Sequence, residues 1–156
     1  MRVLVTGATG FLGGHLVSKM AGGSHVPVCA HRQGSDTSKI DALGLEKAVL
    51  DLTDPASMRN ALQGVDAVVH LAAYYTFTGK KEMYEKVNVK GTGDLLEACR
   101  EAGVRRFIYC SSTEAMGPIS SPPGDEDSPL NPQYEYGRSK ARAEELVRAS
   151  GLDWTI

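Results

Sequence analysis

Short apolar runs alternate along the chain with longer segments of mixed polarity. The runs are rich in β-branched residues and are bounded by glycine or polar residues, a pattern that predicts strands. The predicted strands are Arg2–Thr6, Val26–His31, Leu45–Leu50, Ala67–Ala72, Arg106–Ser111 and Leu152–Ile156. Nearly every residue of Ala67–Ala72 is apolar, which favours a strand that is covered on both faces.

The segments between these runs predict helices, several of which end at glycine. Asp54 and Pro55 are typical of an N-cap followed by a first helical residue. The predicted helices are Phe11–Ala21, Pro55 to about Leu62, Glu82–Ala102 and Tyr134–Ala149, with loops at 73–80 and 112–133. This alternation predicts an α/β fold, a doubly wound parallel sheet that binds its ligand at the carboxyl ends of the strands.

Composition narrows the class of protein further. The 156 residues suffice for one domain with a core, and a formal charge of −2 gives no electrostatic reason to expect nucleic acid or an anionic membrane as partner. No apolar run approaches the length of a membrane span. Because the chain begins directly with a predicted strand, we expect no signal peptide and, by default, a cytoplasmic protein.

Cysteine and histidine residues are few and widely spaced. Cys29, Cys99 and Cys110 show no C-x-x-C spacing and each lies in an apolar stretch, so we expect buried thiols without catalytic function. The four histidines have no metal-ligand spacing. We therefore predict no metal site.

A glycine-rich turn follows the first predicted strand. Gly7, Gly10 and Gly13 open the next helix, where free backbone N–H groups and the helix dipole favour the pyrophosphate of a dinucleotide. The spacing G-x-x-G-x-x-G departs from the usual G-x-G-x-x-G because Thr9 stands at the middle position. The alternative is a tight turn whose glycines serve only helix–strand packing.

The ends of the second and third strands predict the adenosine contacts. Arg32 follows the second strand, where an acidic residue would favour NAD and a cation accommodates the 2′-phosphate of NADP. The sequence therefore favours NADP, with a solvated loop arginine as the alternative. Asp51 could accept from the adenine amino group or could simply cap a turn.

Tyr136 and Lys140 stand four residues apart, so on a helix they share one face. A free phenol has a pKa of about 10, and a neighbouring ammonium lowers it by favouring the phenolate. The pair thus suggests a proton donor with its activator, whereas Tyr134 has Arg138 at the corresponding position. Alone, a Tyr-x-x-x-Lys pattern is weak.

Three hydroxyl residues, Ser111, Ser112 and Thr113, follow the fifth strand. At the carboxyl end of a central strand, such a hydroxyl can orient a substrate oxygen toward the tyrosine. Their alternative is ordinary turn chemistry, and spacing does not select among the three.

The chain resembles the extended short-chain dehydrogenase/reductase superfamily, in its NAD(P)-dependent nucleotide-sugar epimerase/dehydratase group. The resemblance covers essentially all 156 residues. Its motifs are Thr6-Gly7-Ala8-Thr9-Gly10-Phe11-Leu12-Gly13, Asp51-Leu52-Thr53-Asp54, His70-Leu71-Ala72-Ala73, Asn88-Val89-Lys90-Gly91-Thr92, Ser111-Ser112-Thr113 and Tyr136-Gly137-Arg138-Ser139-Lys140. Together they are highly specific.

The resemblance implies a role for each matching position. Ser112 and Tyr136 would be catalytic, Tyr136 as acid/base, and Lys140 would hold the nicotinamide ribose and lower the tyrosine pKa. The cofactor would be bound by Gly7, Thr9, Gly10, Phe11, Leu12, Gly13, Asp51, Leu52, Leu71, Ala72, Ala73, Asn88, Tyr136 and Lys140. Asn88 would support the active site, and a packing role for it is equally open.

The implied activity is hydride transfer between a nicotinamide cofactor, NAD(P), and a nucleotide sugar. One alternative is an NADPH-dependent ketone reductase, similar to dihydroflavonol reductases or hydroxysteroid dehydrogenases, and another is a non-catalytic NAD(P)-sensing regulator. The resemblance also suggests a homodimer through the helices that carry Asn88 and Tyr136. Family members are longer, so we expect residues 1–156 to be the NAD(P)-binding Rossmann domain without the carboxyl-terminal substrate-binding part.

Overall fold

The computed structural model describes residues 1–76, 78, 80–120 and 122–156. Each predicted strand is present, although several are shorter than expected. The strands are β1 (Arg2–Thr6), β2 (Val26–His31), β3 (Glu46–Val49), β4 (Ala67–His70), β5 (Arg106–Tyr109) and β6 (Asp153–Thr155). The predicted loops at 73–80 and 112–133 include Phe77, Gly79 and Ser121, which lie outside the described residues.

Within the described residues the strands form one parallel sheet in the order β3-β2-β1-β4-β5-β6. The order reverses between β1 and β4, so the connections diverge there and leave a crevice at the carboxyl ends of these strands. The predicted doubly wound Rossmann-type sheet is thereby confirmed. Across this edge Thr6 pairs with His70 and His70 with Tyr109, so the last residues of three strands lie side by side.

Helices connect the strands: α1 (Phe11–Met20), α2 (Ser38–Ala42), α3 (Pro55–Ala61), α4 (Lys81–Met83), α5 (Gly91–Glu101), α6 (Thr113–Met116) and α7 (Glu135–Ala149). The sequence analysis missed the short helices α2 and α6. It also predicted one helix over Glu82–Ala102, whereas a π-helical segment, Tyr84–Lys90, separates α4 from α5. Helical periodicity does not distinguish an α-helix from a π-helical turn within it, because the hydrophobic pattern continues through both.

Two apolar clusters cover the two faces of the sheet. Leu4, Val68 and Phe107 belong to the larger cluster, together with residues of α3, α5 and α7. Val3 and Val5, which alternate with Leu4 along β1, belong to the smaller cluster with Val17 of α1. The apolar character of the central strands therefore has the expected cause, burial on both sides. None of the helices within the described ranges is long and apolar enough to cross a membrane.

Candidate active site

The turn between β1 and α1 brings backbone to the crevice. Gly7 has φ +70°, and a Cβ there would lie 3.0 Å from the backbone nitrogen of Ala72 on the neighbouring connection. Gly10 is the N-cap of α1, and its N–H donates to the Gly7 carbonyl at 2.9 Å. The next N–H groups have no partner within the helix, because the first turn of an α-helix leaves them unpaired. These features fit a dinucleotide pyrophosphate.

Gly13 has a different function in this turn. It is buried, and a Cβ there would lie 2.1 Å from the carbonyl oxygen of Gly7. Such a contact is impossible, so glycine at this position lets α1 approach the end of β1. The packing interpretation therefore accounts for Gly13, which is not part of the cleft wall.

A buried polar network fixes the end of β4. The Thr6 hydroxyl accepts from the N–H groups of Leu71 and Ala72, both at 3.1 Å, and lies 2.7 Å from Nδ1 of His70. With both lone pairs of its oxygen in use, the hydroxyl donates its hydrogen to His70. The Nε2–H of His70 then donates to Thr92 at 3.0 Å.

His70 is consequently neutral in this network. Burial lowers its pKa to about 3, and the Lys140 ammonium acts in the same direction. Sequence analysis noticed the His-Leu-Ala-Ala motif but not the hydrogen bonds that the histidine makes. Only the register of β1 with β4 brings Thr6 and His70 together.

A cleft of about 600 Å³ lies at the crevice between these strands. Its wall includes many of the residues predicted to bind the cofactor: Gly7, Thr9, Gly10, Arg32, Asp51, Leu52, Leu71, Ala72 and Ala73. Phe11 instead lines a neighbouring depression beside α1, and 86% of its surface is exposed. Leu12, also predicted to bind the cofactor, is half exposed and lines neither hollow.

The end of the cleft that is predicted to bind adenosine combines one carboxylate with two cations. The Asp51 carboxylate accepts from the N–H and the hydroxyl of Thr53, both at 2.8 Å. These hydrogen bonds lower the pKa of Asp51, and the charges of Arg32 and Lys86 lower it further. Lys86 comes from the π-helical segment and was missed by the sequence analysis, since its position depends on that segment packing beside the cleft.

Tyr136 lies in the first turn of α7, half-buried beside the end of β5. Burial is the largest influence on its phenol and raises the pKa, while a hydrogen bond from Ser112 acts in the opposite direction. The sequence analysis expected a lowered pKa. The protein groups around Tyr136 give the reverse, because removal from water disfavours the phenolate.

Of the three hydroxyls after β5, two have distinct positions. Ser112 caps α6, accepting from the Glu114 N–H at 3.2 Å, and reaches the Tyr136 phenol. The Ser111 hydroxyl points elsewhere and donates to the buried carboxylate of Glu144 on α7. The structure thereby favours Ser112 over Ser111 as the partner of Tyr136.

Lys140 lies one turn after Tyr136 and is 2% exposed. Its ammonium donates to the Cys110 carbonyl at 2.6 Å and stands over the Tyr109 ring, 4.0 Å from the centroid. Burial lowers the pKa of Lys140 to about 8, although Cys110 and Glu144 favour the charged form. The ammonium is therefore buried and contacts the Cys110 carbonyl and the Tyr109 ring.

Asn88 connects the tyrosine helix to the cleft rather than lining the cleft itself. Its Nδ2 donates to Tyr74 O and Ser139 Oγ, both at 2.9 Å, and its Oδ1 accepts from the Tyr74 N–H at 2.6 Å. Ser139 in turn donates to the Tyr136 carbonyl at 2.7 Å. These partners engage the side-chain amide of Asn88, and its predicted contact with the cofactor stays a prediction.

Two further residues make contacts at the site that the sequence reasoning did not predict. The Tyr75 ring, exposed on the cleft wall, meets the Tyr136 ring edge to face with centroids 4.8 Å apart. Gly137 allows α7 to approach α6, because a Cβ there would lie 2.2 Å from the Glu114 carbonyl. The Tyr-Gly-x-x-Lys motif itself could have signalled this close approach.

Comparisons with known proteins agree with this geometry. The model of the NAD dependent epimerase/dehydratase family matches residues 3–156. Sterol demethylase protein B of Methylococcus capsulatus is 41% identical over all of this chain and 50% of its own length. The 2-alkyl-3-oxoalkanoate reductase of Stenotrophomonas maltophilia is 32% identical over 96% of this chain and 46% of its own.

A solved structure adds a bound cofactor. The UDP-glucose 4-epimerase of Stenotrophomonas maltophilia, with NAD and a formylated UDP-arabinopyranose, matches with a TM-score of 0.87 and 28% identity, over 100% of this chain and 51% of that one. The chain thus spans about half the length of the curated relatives it matches.

Fold and cleft together are those of a domain of the short-chain dehydrogenase/reductase type. More narrowly, the chain belongs to the NAD-dependent epimerase/dehydratase family.

Proposed function

We propose that the protein to which this chain belongs is an oxidoreductase that interconverts a secondary alcohol and a ketone. The observation that supports this proposal is the grouping of Ser112, Tyr136 and Lys140 at the end of β5, with Tyr75 connecting Tyr136 to the cofactor cleft. Residues 1–156 would form the NAD(P)-binding and catalytic domain. A substrate-binding part would follow it in the whole protein.

The residues of the cleft fit a nicotinamide dinucleotide. The Gly7–Gly13 turn would hold the pyrophosphate, Asp51 and Leu52 the adenine, and Leu71–Ala73 would line the channel between the two ends. When bound, the nicotinamide supplies the carbon that gives or takes the hydride. Lys140, whose ammonium is fixed beside the end of β5, would hold the nicotinamide ribose.

The chain's own side chains would handle the proton. In the reducing direction the Tyr136 phenol gives its proton to the ketone oxygen as the hydride arrives at carbon, and in the oxidising direction it takes that proton back. Ser112 would donate to the same oxygen and orient it. A bound cationic ring and the Lys140 ammonium would favour the phenolate and offset the burial that raises the Tyr136 pKa.

Two cations favour NADP over NAD at the adenosine end. Arg32 and Lys86 both face the cleft near Asp51, and neither forms an ion pair with the described residues. Asp51 already accepts two hydrogen bonds from Thr53, which leaves the N–H groups of the two cations to donate to a 2′-phosphate. Against this preference, the solved relative contains NAD.

For the substrate we retain the nucleotide sugar as the first candidate. The family description and the solved 4-epimerase with its UDP-sugar support it. In an epimerase the alcohol is oxidised and re-reduced without net redox change.

An apolar ketone or alcohol is the second candidate, favoured by a specific observation. Tyr75 places an aromatic edge directly against Tyr136, so one wall near the reacting oxygen is apolar. The names of two relatives, a sterol demethylase protein and an oxoalkanoate reductase, are consistent with such a substrate. An assay with NAD(P)(H) distinguishes the two classes. It compares the oxidation of UDP-sugars with the oxidation of sterol-type alcohols and the reduction of 3-oxo acids.

Tyr136→Phe tests the catalytic assignment, with Tyr134→Phe as the matched control. We expect Tyr136→Phe to lower kcat about 10²- to 10⁴-fold with folding and cofactor binding retained, because only the proton donor is lost. Tyr134 is 69% exposed and outside the site, so its variant should have wild-type activity. Equal activities would refute the acid/base role, and cofactor binding without turnover by the wild type would favour the sensing regulator.

A further inference from the structure

Tyr109 lies directly beneath the Lys140 ammonium, as the last residue of β5. It is 2% exposed, and Nζ of Lys140 stands 4.0 Å from the centroid of its ring. Among the described residues its hydroxyl has no hydrogen-bond partner. The hydroxyl therefore does not account for a tyrosine here, whereas the ring face contacts the ammonium.

The Tyr109 ring also packs against the neighbouring strand β4. Its centroid lies 5.6 Å from that of His70, the neighbouring residue across the sheet. His70 is fixed on both sides by Thr6 and Thr92. Since this histidine is neutral, it adds no second positive charge beneath the ammonium.

Burial of an ammonium is costly because three N–H donors lose water. At Lys140 the Cys110 carbonyl accepts one of these donors at 2.6 Å. The ring face of Tyr109 presents the negative side of its quadrupole to the charge, an interaction that strengthens as water is removed. Carbonyl and ring together thus replace part of the lost hydration.

We propose that Tyr109 is a positioning residue that keeps Lys140 charged and aimed at the active site through its aromatic face, not through its hydroxyl. This inference rests on the function proposed above for Lys140. The titratable groups that interact with the ammonium are Cys110 directly after β5, Glu144 on α7 and His70 on β4. Tyr136 on α7 interacts with the same Cys110. Glu144 is shared with Ser111 and Arg148, so it is only partly available to Lys140.

The test measures how variants of Tyr109 change the pKa of Lys140, which is read from the pH dependence of activity. Because activity would require the ammonium, it should fall as pH rises through the Lys140 pKa. We expect Tyr109→Leu to move this alkaline limit of kcat/KM downward by about one pH unit, as loss of a desolvated cation–π contact predicts. Tyr109→Phe keeps the ring and should leave the limit unchanged.

A purely structural function would not produce this difference. Phe107→Leu is the matched control, since Phe107 is a fully buried ring on the same strand that also contacts His70. It should lower stability without moving the pH limit. Pentafluorophenylalanine at position 109 preserves the ring shape but reverses its electrostatics, so it should act like Tyr109→Leu even if the leucine variant folds poorly.

NMR titration of the Lys140 ε-methylene group, assigned with Lys140→Arg, separates this inference from the proposed function. A pKa that falls in Tyr109→Leu and in the fluorinated variant, but not in Tyr109→Phe, supports the inference even if no substrate is turned over. A Lys140 pKa that is unchanged in both Tyr109→Leu and the fluorinated variant overturns the inference, whether or not the enzyme is active. A pKa lowered equally in Tyr109→Phe also overturns it, because the hydroxyl would then be responsible.

Discussion

The two halves of the site are built from different parts of the chain. At the end of β1, the turn from Gly7 to Gly13 offers backbone groups, and its chemistry depends on the absence of side chains. At the end of β5, the groups proposed to act are side chains, namely Ser112, Tyr136 and Lys140. The turn has no charged side chain, and the other half contains a buried ammonium.

Both halves nevertheless depend on a glycine that close packing requires. Gly13 lets α1 approach β1, and Gly137 lets α7 approach α6. In each case a backbone carbonyl occupies the space of the missing Cβ. The comparison shows that motif glycines can serve close packing as strictly as others serve ligand approach.

The largest effect is expected from Gly13→Ala in the backbone half. A Cβ 2.1 Å from the Gly7 carbonyl oxygen forces the backbone to move, so we expect the free energy of unfolding to fall by about 3 kcal/mol or more. Gly14→Ala is the control, since its Cβ would meet only Ala8 O at an ordinary 3.8 Å. Denaturant unfolding measures both, and equal stability of the two variants would contradict the packing role.

Gly137→Ala is the corresponding change in the side-chain half. The contact with the Glu114 carbonyl should cost about 1–3 kcal/mol and separate Ser112 from Tyr136, which would lower kcat at temperatures where the variant is folded. Gly93→Ala in α5 has room, with Leu146 Cδ1 at 3.5 Å, and should be neutral or stabilising by up to about 1 kcal/mol. A Gly137→Ala variant with wild-type unfolding and kcat would show that the approach of α7 is not critical.

A smaller effect should separate the two serines that follow β5. Ser112→Ala removes an N-cap and the partner of Tyr136, so we expect a loss of about 1 kcal/mol together with a fall in kcat. Ser111→Ala leaves the buried Glu144 with one hydrogen bond fewer, a loss of about 1–3 kcal/mol in stability with kcat retained. Paired unfolding and rate measurements decide, and an activity loss confined to Ser111→Ala would reverse the assignment.

Much of the fold was predictable because its signals are local. Apolar runs locate the strands, and glycine or Asp54-Pro55 marks the boundaries of several helices. The π-helical segment at Tyr84–Lys90 and the short helices α2 and α6 were not predictable, because packing rather than periodicity determines them.

For the site, the sequence by itself determined which residue types are present and their order: a glycine turn, strand-end hydroxyls, and a tyrosine four residues before a lysine. Tertiary structure alone decided their partners. It directed Ser111 to Glu144 and Ser112 to Tyr136, and it placed Lys140 over Tyr109 and Lys86 beside Asp51. The reason is that these pairs join residues far apart in the chain, whose meeting depends on strand register and helix packing that no local pattern encodes.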